Sequence, residues 1–312
     1  MSGLDTFKIA IRQNPLLKVV VYRPLIFVLN STVRRAQARA IKAQWNQRHR
    51  DVQGCPDNRN IPRVPDAGRI VGDVQTMHNG IKIRRGSYYG SEVSHVLEAN
   101  KGVHEPQEEW VFQEVLPHVP SDGVMIELGA YWGFYSAWFL SDLRSTDVSS
   151  VRTQTNRRAF LVEPEPENLK MGQDNFRLND LQGEFLCAFV GSKPAKDDMG
   201  RRIVCVDELV GIHNLDRVHI LHCDIQGYEM DMLDGAHDTL AARKVDYVFI
   251  STHSQELHQR CRQRLIDSAM TILADADMND TYSFDGLIVG RRTELKGAEP
   301  VTISKKSVHG LV

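Results

Sequence analysis

The stretch Val124-Met125-Ile126-Glu127-Leu128-Gly129-Ala130-Tyr131-Trp132-Gly133-Phe134-Tyr135-Ser136 constrains this chain more than any other. A short apolar run ends in an acid, passes two glycines four residues apart and enters a second apolar segment. That is the pattern of a buried parallel strand turning into a helix. Gly129 allows a tight turn and a close approach to a ligand, and Gly133 lets the helix pack on the strand. The amides at the helix N-terminus are left to face whatever binds. Glu127 lies toward the carboxyl end of the strand, where open α/β sheets take their ligands.

The acid bears on which ligand. A dinucleotide site uses G-x-G-x-x-G to seat a pyrophosphate on a helix dipole, whereas the pattern here is Glu-x-Gly-x-x-x-Gly, which speaks against a nicotinamide oxidoreductase. A carboxylate suits a cation. S-adenosylmethionine carries a sulfonium and an ammonium group and no phosphate, so the turn reads as its seat, with Glu127, Gly129, Ala130, Tyr131, Gly133 and Ser136 as candidate contacts. The chain then alternates strand and helix, the signature of a doubly wound parallel sheet. A second strand at 159–162 ends at Glu163, placed to bridge the two hydroxyls of a ribose. A helix is expected over 166–177 and a third strand over 185–190, whose end residues Ala188 and Phe189 would flank an adenine.

A fourth strand at 218–223 delivers Asp224-Ile225-Gln226-Gly227-Tyr228-Glu229. It neighbours the first in a doubly wound sheet, so Asp224 is expected across from the glycine turn, near the reactive end of the cofactor. Gly227 would permit a close approach. His219 and His222 point to opposite faces of this strand, at least one of them as a core histidine. The fifth strand, 245–250, presents His253 at its end, a candidate general base with Asp224 orienting acceptor or cofactor. Asp224 with Glu229 also offers hard oxygen ligands for Mg²⁺, though two carboxylates alone make no metal site. A helix over 255–269 and a closing hairpin near 272–273 and 285–290 complete the sheet. Before the first turn, Pro106 with Glu108 and Glu109 reads as ordinary helix-start chemistry. His104, Glu105 and Gln107 are candidates to cover the bound substrate or cofactor.

The rest of the chain sets limits. A chain of 312 residues suffices for one large α/β domain with an extension. Five cysteines with no C-x-x-C pair point to a reducing compartment and no cysteine-built zinc site. No signal peptide and no uninterrupted apolar span are expected. Residues 1–50 carry ten Lys or Arg against the single acid Asp5, +9, which leaves −11 for the remainder of a chain of net charge −2. This amphipathic arm would dock on a membrane, an anionic polymer, its own domain or a second subunit. A linker at 51–72, a hairpin and helix region at 73–122 marked by Asn79-Gly80, a main domain at 123–292 and a tail at 293–312 follow.

Together, Glu127-Leu128-Gly129-x-x-x-Gly133, Glu163-Pro164 with Asn168 and Asn175, Val206-Asp207-Glu208-Leu209, Asp224-Ile225-Gln226-Gly227-x-Glu229 and Asp285-Gly286 resemble the FkbM-type S-adenosylmethionine-dependent methyltransferases. The resemblance runs from about Tyr89 to Arg292. It implies a Rossmann-like class I methyltransferase fold, a seven-stranded sheet whose last strand is antiparallel, behind the N-terminal helical and hairpin extension. It also implies methyl transfer to oxygen, commonly a hydroxyl of a sugar or natural product. His222 and Gln226 stand where the family usually has lysine and glutamate. The expectation is therefore an O-methyltransferase of the cytoplasm, peripheral to the inner membrane face if the arm docks there, with a small-molecule or glycan acceptor, no nucleic-acid partner and an open route to a homo-oligomer. The alternative is a catalytically silent methyltransferase-like protein that binds through its basic arm.

Overall fold

The computed structural model describes residues 39–40, 42–90, 94–141 and 156–309. It divides into two units, residues 1–50 and 51–312. In the first, residues 42–50 are helical; most of the expected docking arm lies outside the described residues, as do 91–93 and 142–155.

The second unit opens with packed chain. Residues 51–72, expected as a linker, bury Val52, Cys55 and Ile61 and form a 3-10 turn at Pro56–Asn60. Three prolines and two glycines look like a linker in sequence, but apolar residues between them pin the segment down. Strand β1 (Ile70–Val71) pairs with β2 (Val74–Thr76), which pairs antiparallel with β3 (Lys82–Arg84), the hairpin expected around Asn79-Gly80. Helices α1 (Ser94–Ala99) and α2 (Pro106–Val115) follow.

The glycine stretch then forms β4 (Val124–Leu128), buried along its whole length, and α3 (Phe134–Leu140). All seven residues of α3 are buried, so the helix has no polar face and packs on every side. Next come β5 (Arg158–Val162), α4 (Pro166–Leu178), β6 (Glu184–Leu186), β7 (Phe189–Val190), β8 (Ala195–Lys196), β9 (Arg202–Val204), α5 (Val206–Ile212), β10 (Val218–Cys223), α6 (Glu229–Asp234), α7 (His237–Ala241), β11 (Val245–Thr252), α8 (Gln255–Asp267), β12 (Met270–Ala276), β13 (Gly286–Arg292) and α9 (Lys306–His309).

Seven strands make one sheet in the order β12-β13-β11-β10-β4-β5-β6. Neighbours from β6 through β11 are parallel, and β13 runs antiparallel between β11 and β12. The chain enters at β4, winds outward through β5 and β6, returns to β10 beside β4 and winds the other way. This is the doubly wound, Rossmann-like class I methyltransferase topology, with its switch point between β4 and β10. All eight residues of β11 are buried, including Asp246 and Tyr247, as befits a central strand covered on both faces.

The third strand is shorter than expected. The apolar run 185–190 breaks at Cys187 and Ala188, and β7 joins a separate sheet in the order β7-β9-β8. The N-terminal hairpin is fastened to the main domain by Asn175 of α4 and by Asn179, which caps that helix. Asn175 Oδ1 accepts the Arg84 amide at 2.8 Å, and Asn179 Oδ1 accepts the Lys82 amide at 2.9 Å. These side chains satisfy an edge strand that would otherwise expose its backbone. The described part of the tail, residues 293–309, folds back: Ser304 gives its amide and hydroxyl to Asp57 at 2.8 and 2.7 Å.

Candidate active site

The switch point brings the two loops together by backbone contact. The Asp224 amide donates to Leu128 O at 2.9 Å, and a Cβ on Gly129, whose φ is +73°, would lie 1.8 Å from Asp224 O. Only glycine fits this crossing. Gly133, at φ +71°, faces the Phe176 and Leu161 side chains at 3.1 and 3.2 Å from the same virtual atom, so it serves the helix packing expected of it. Asp224 thus sits beside the glycine turn, as its strand order required.

The turn amides do not face outward. Gly129 N–H and Ala130 N–H both donate to Val162 O, at 2.9 and 3.0 Å, and Tyr131 N–H donates to Glu163 Oε2 at 2.9 Å. Ser136 N–H donates to Glu127 Oε2 at 3.0 Å. Glu127 is therefore the internal cap of α3 rather than an acid pointing into open space, because the third amide of a helix has no partner within the helix. Burial pushes its carboxyl above the ordinary range, against the opposing effect of nearby His222. Glu163 has a mixed duty: besides Tyr131 it accepts Glu165 N–H at 3.0 Å and the Asn168 side chain at 3.3 Å. It binds the two loops of β4 and β5 to each other at the place expected for a ribose.

The adenine wall is a correction. Ala188 is buried in the hydrophobic core and Phe189 belongs to the second sheet, under the guanidinium of Arg201 at 4.3 Å from the ring centre. Cys187, exposed and with Sγ 3.5 Å from Pro164 O, follows directly after β6 instead.

The second correction concerns the cover residues. His104 is buried among the rings of Tyr88, Trp132 and Phe134, at 5.0 to 5.1 Å between centres. Its Nδ1 lies 2.6 Å from Glu109 Oε1, which also accepts the amides of His104 and Glu105 at 2.7 and 2.8 Å. Gln107 ties the tail to the 277–285 loop: its Nε2 donates to Ser304 O at 2.7 Å and its Oε1 accepts Tyr282 N–H at 2.8 Å. Both are built into the body of the protein. Glu105 and Gln107 both line a cleft, where Tyr135 Oη and Ser283 Oγ donate to Glu105 at 3.3 and 3.2 Å. That cleft is lined further by Glu108, Ser251, Thr281, Asp285 and Leu287.

Next to it lies the cluster at the ends of β10 and β11. His253 Nδ1 is 2.5 Å from Glu229 Oε1, and Nε2 is 3.3 Å from Asp224 Oδ1 and 3.4 Å from Asp285 Oδ1. Burial alone would lower the pKa of this imidazole, but the contacts with Asp224 and Glu229 and the charge of Asp285 raise it from 6.5 to about 10. Conversely, burial pushes Glu229 up, but the bonds from His253 and the Gly227 amide win and hold it below its usual range. These neighbours favour the charged form of His253, the expected proton acceptor, which sits among three carboxylates, two from the segment joining β10 to α6 and one from the loop before β13. Gly227 has open space around it and serves the turn by its φ of +102° rather than by close approach. Among the described residues, no group of three or more His, Cys, Asp or Glu side chains is arranged to hold a metal ion. His253 lies between Asp224 and Glu229.

A raised folded-state pKa means stability that is full below the unfolded value and lost as pH rises through the folded one. We expect the resistance of the wild type to urea to fall progressively between pH 6.5 and about 10 through this group. In His253→Gln the same pH series should lose that component; an unchanged slope would dissolve the imidazolium assignment.

His222, one of the two strand histidines of which at least one was expected in the core, is buried with Nε2 2.7 Å from Glu108 Oε1. Its neighbour on the strand, His219, accepts the Val124 amide on Nδ1 at 3.0 Å and is purely a packing residue. The Asp207 of the Val-Asp-Glu-Leu motif caps α7 through the Asp238 and Thr239 amides at 3.0 and 2.8 Å.

No protein-family model and no curated protein matches the chain. Among solved structures it is similar to TrmK of M. capricolum in complex with S-adenosyl-homocysteine, at 9% identity over 60% of this chain and 71% of that one, with a TM-score of 0.39. It is also similar to an rRNA methylase of Streptococcus thermophilus, at 9% identity over 60% and 97%, TM-score 0.42. A third is the precorrin-6y C5,15-methyltransferase of Geobacter metallireducens, at 15% identity over 55% and 80%, TM-score 0.32. The fold assignment rests on this chain's own strand order. Among the described residues no helix is long and apolar enough to cross a membrane.

Proposed function

We propose that this chain is an S-adenosylmethionine-dependent methyltransferase of the FkbM type that moves a methyl group to a hydroxyl oxygen of a sugar or natural product. The carrying observation is the switch point itself, where Gly129 is pressed against the Asp224 backbone and the adjoining side chains are acidic. Asp224, Glu229 and Asp285 share one positive group, His253, and Glu105 and Glu108 line the adjoining cleft. Such a surface attracts a sulfonium and an ammonium and repels the pyrophosphate of a dinucleotide. The residues present therefore suit this cofactor, with Glu163 and Asp224 as its contacts at the ends of β5 and β10.

When bound, S-adenosylmethionine supplies an electrophilic methyl group. The chain's contribution is to hold an acceptor oxygen in line with it. The cleft walls offer carboxylates and the hydroxyls of Ser251, Thr281 and Ser283, groups that match a neutral polyol and disfavour a phosphate backbone. His253 keeps Asp224 and Asp285 fixed and prevents their mutual repulsion.

Calorimetric titration tests this reading. S-adenosylmethionine and S-adenosylhomocysteine should both bind in the micromolar range, NAD should not, and Asp224→Asn should weaken the sulfonium ligand by about 1–3 kcal/mol. If neither adenosyl ligand bound the wild type, the methyltransferase reading would be abandoned.

A further inference from the structure

We propose that Glu108, held by His222, is the group that takes the proton from the acceptor hydroxyl; this rests on the methyl-transfer reading above. An alcohol attacks poorly while protonated, so a base must be within reach. The site contains four candidates besides Glu108. His253 already carries its proton among Asp224, Glu229 and Asp285. Asp224 and Asp285 are both engaged by His253 Nε2, at 3.3 and 3.4 Å. Glu105 is held by two hydroxyl donors.

Glu108 is set apart by its depth and by a histidine of its own. It stands in the first turn of α2 and lines the cleft beside Ser251, Asp285 and Leu287. One oxygen meets His222 Nε2 at 2.7 Å and the other accepts Ser251 Oγ at 3.5 Å. Its side chain is 6% exposed and that of His222 4%, so the pair is dry and polarises strongly. His222 Nδ1 is buried with no hydrogen-bond partner among the described residues. The ring is thus committed to Glu108 alone.

The titratable groups facing the pair come from every side: Glu105 before α2, Glu127 on β4, Asp224 after β10 and the phenol of Tyr135 on α3, whose ring lies 4.4 Å from that of His222. Burial, and then the carboxylates of Glu105 and Asp224, push Glu108 above the ordinary carboxylate range, while His222 acts in the opposite sense. Burial would lower His222, but Glu108 raises it. The two groups share one hydrogen bond and titrate as a pair rather than singly.

The step balances. The hydroxyl proton passes to the Glu108 carboxylate, the oxygen's electron pair forms the new O–C bond to the methyl group, and the C–S bond breaks with its pair remaining on sulfur. The proton then leaves Glu108 to solvent through the cleft, which restores the carboxylate.

The full-length protein provides the test without any acceptor. S-adenosylmethionine and S-adenosylhomocysteine are titrated calorimetrically between about pH 6 and 9, in buffers of differing ionisation enthalpy, which reads protons released on binding. A sulfonium facing the pair should expel its labile proton, and the neutral thioether should not. The wild type should therefore release more protons with the first ligand. Glu108→Gln should erase that difference and lower the ratio of the two affinities roughly tenfold, the order of one partly screened charge, while keeping the affinity for S-adenosylhomocysteine. His222→Gln should move the pH midpoint of the release. Glu108→Asp, which keeps the charge, should retain the release at a shifted midpoint and serves where the glutamine variant fails to fold. Equal release with both ligands, or a Glu108→Gln protein indistinguishable from wild type, overturns the assignment. Absence of binding by either ligand overturns the methyl-transfer reading instead, and this inference with it.

Discussion

Gly129→Ala should produce the largest loss of any single substitution in the site. The new Cβ would meet Asp224 O at 1.8 Å and Asp224 C at 2.7 Å, both backbone atoms that cannot swing aside. The residue would in addition be forced to hold φ at +73°. A left-handed conformation costs an L-residue about 1–2 kcal/mol, and overpacking a tight site costs about 1–3 kcal/mol more. The two strands that meet here are the central pair of the sheet, so relief by movement would part β4 from β10. We expect a drop in unfolding free energy of roughly 2–5 kcal/mol, read from urea midpoints at constant m, and loss of measurable S-adenosylmethionine binding even where the protein still folds. An alanine variant with wild-type affinity would mean that the β4 and β10 loops do not meet as described.

The second large effect is expected at Glu109, a residue whose position in a helix's first turn gave no hint of it. It is fully buried, accepts two backbone amides and lies 2.6 Å from His104 Nδ1 and 2.9 Å from His78 Nε2. Burial pushes its pKa up, but the two imidazoles win and hold the carboxyl well below its ordinary 4.5. Removing one partner from a buried ionic group strands the others, at a cost of about 3–5 kcal/mol. Glu109→Ala should lose that much at pH 7. Because the folded-state pKa is depressed, the contribution is present above the unfolded value and disappears as pH falls below 4.5. The gap between wild type and variant should therefore close in acid. A gap that persisted at low pH would show that packing, not charge, is what the substitution removes.

The parts of this fold that could be read in the chain were those written in local pattern. The apolar runs that became β4, β5, β10 and β11 each end in a polar residue, and runs of that kind are buried strands whatever surrounds them. From them the order of the sheet follows, and with it the nearness of Asp224 to the glycine turn. The Asn79-Gly80 hairpin was equally plain. The run 185–190 misled for the same reason. Six consecutive residues of strand composition carry no mark that the chain changes sheets at Cys187 and Ala188, and so Phe189 was set against a ligand when it packs under Arg201.

Other roles depended on partners far away in the chain. Glu108 reads as a helix-start acid until His222, 114 positions later, is placed against it. Gln107 joins residues 173 and 197 positions away and so fastens the tail and the cleft loop while lining the cleft itself. The sequence alone determined that a glycine turn, an acid after the fourth strand and a histidine after the fifth would converge at one edge of a parallel sheet, because strand order follows from alternating elements and right-handed crossovers. Only the tertiary structure decided the charge on that histidine. A pKa is set by the sum of burial and neighbouring fields, and Asp285, which joins Asp224 and Glu229 around His253, comes from a loop whose nearness to them no local pattern encodes.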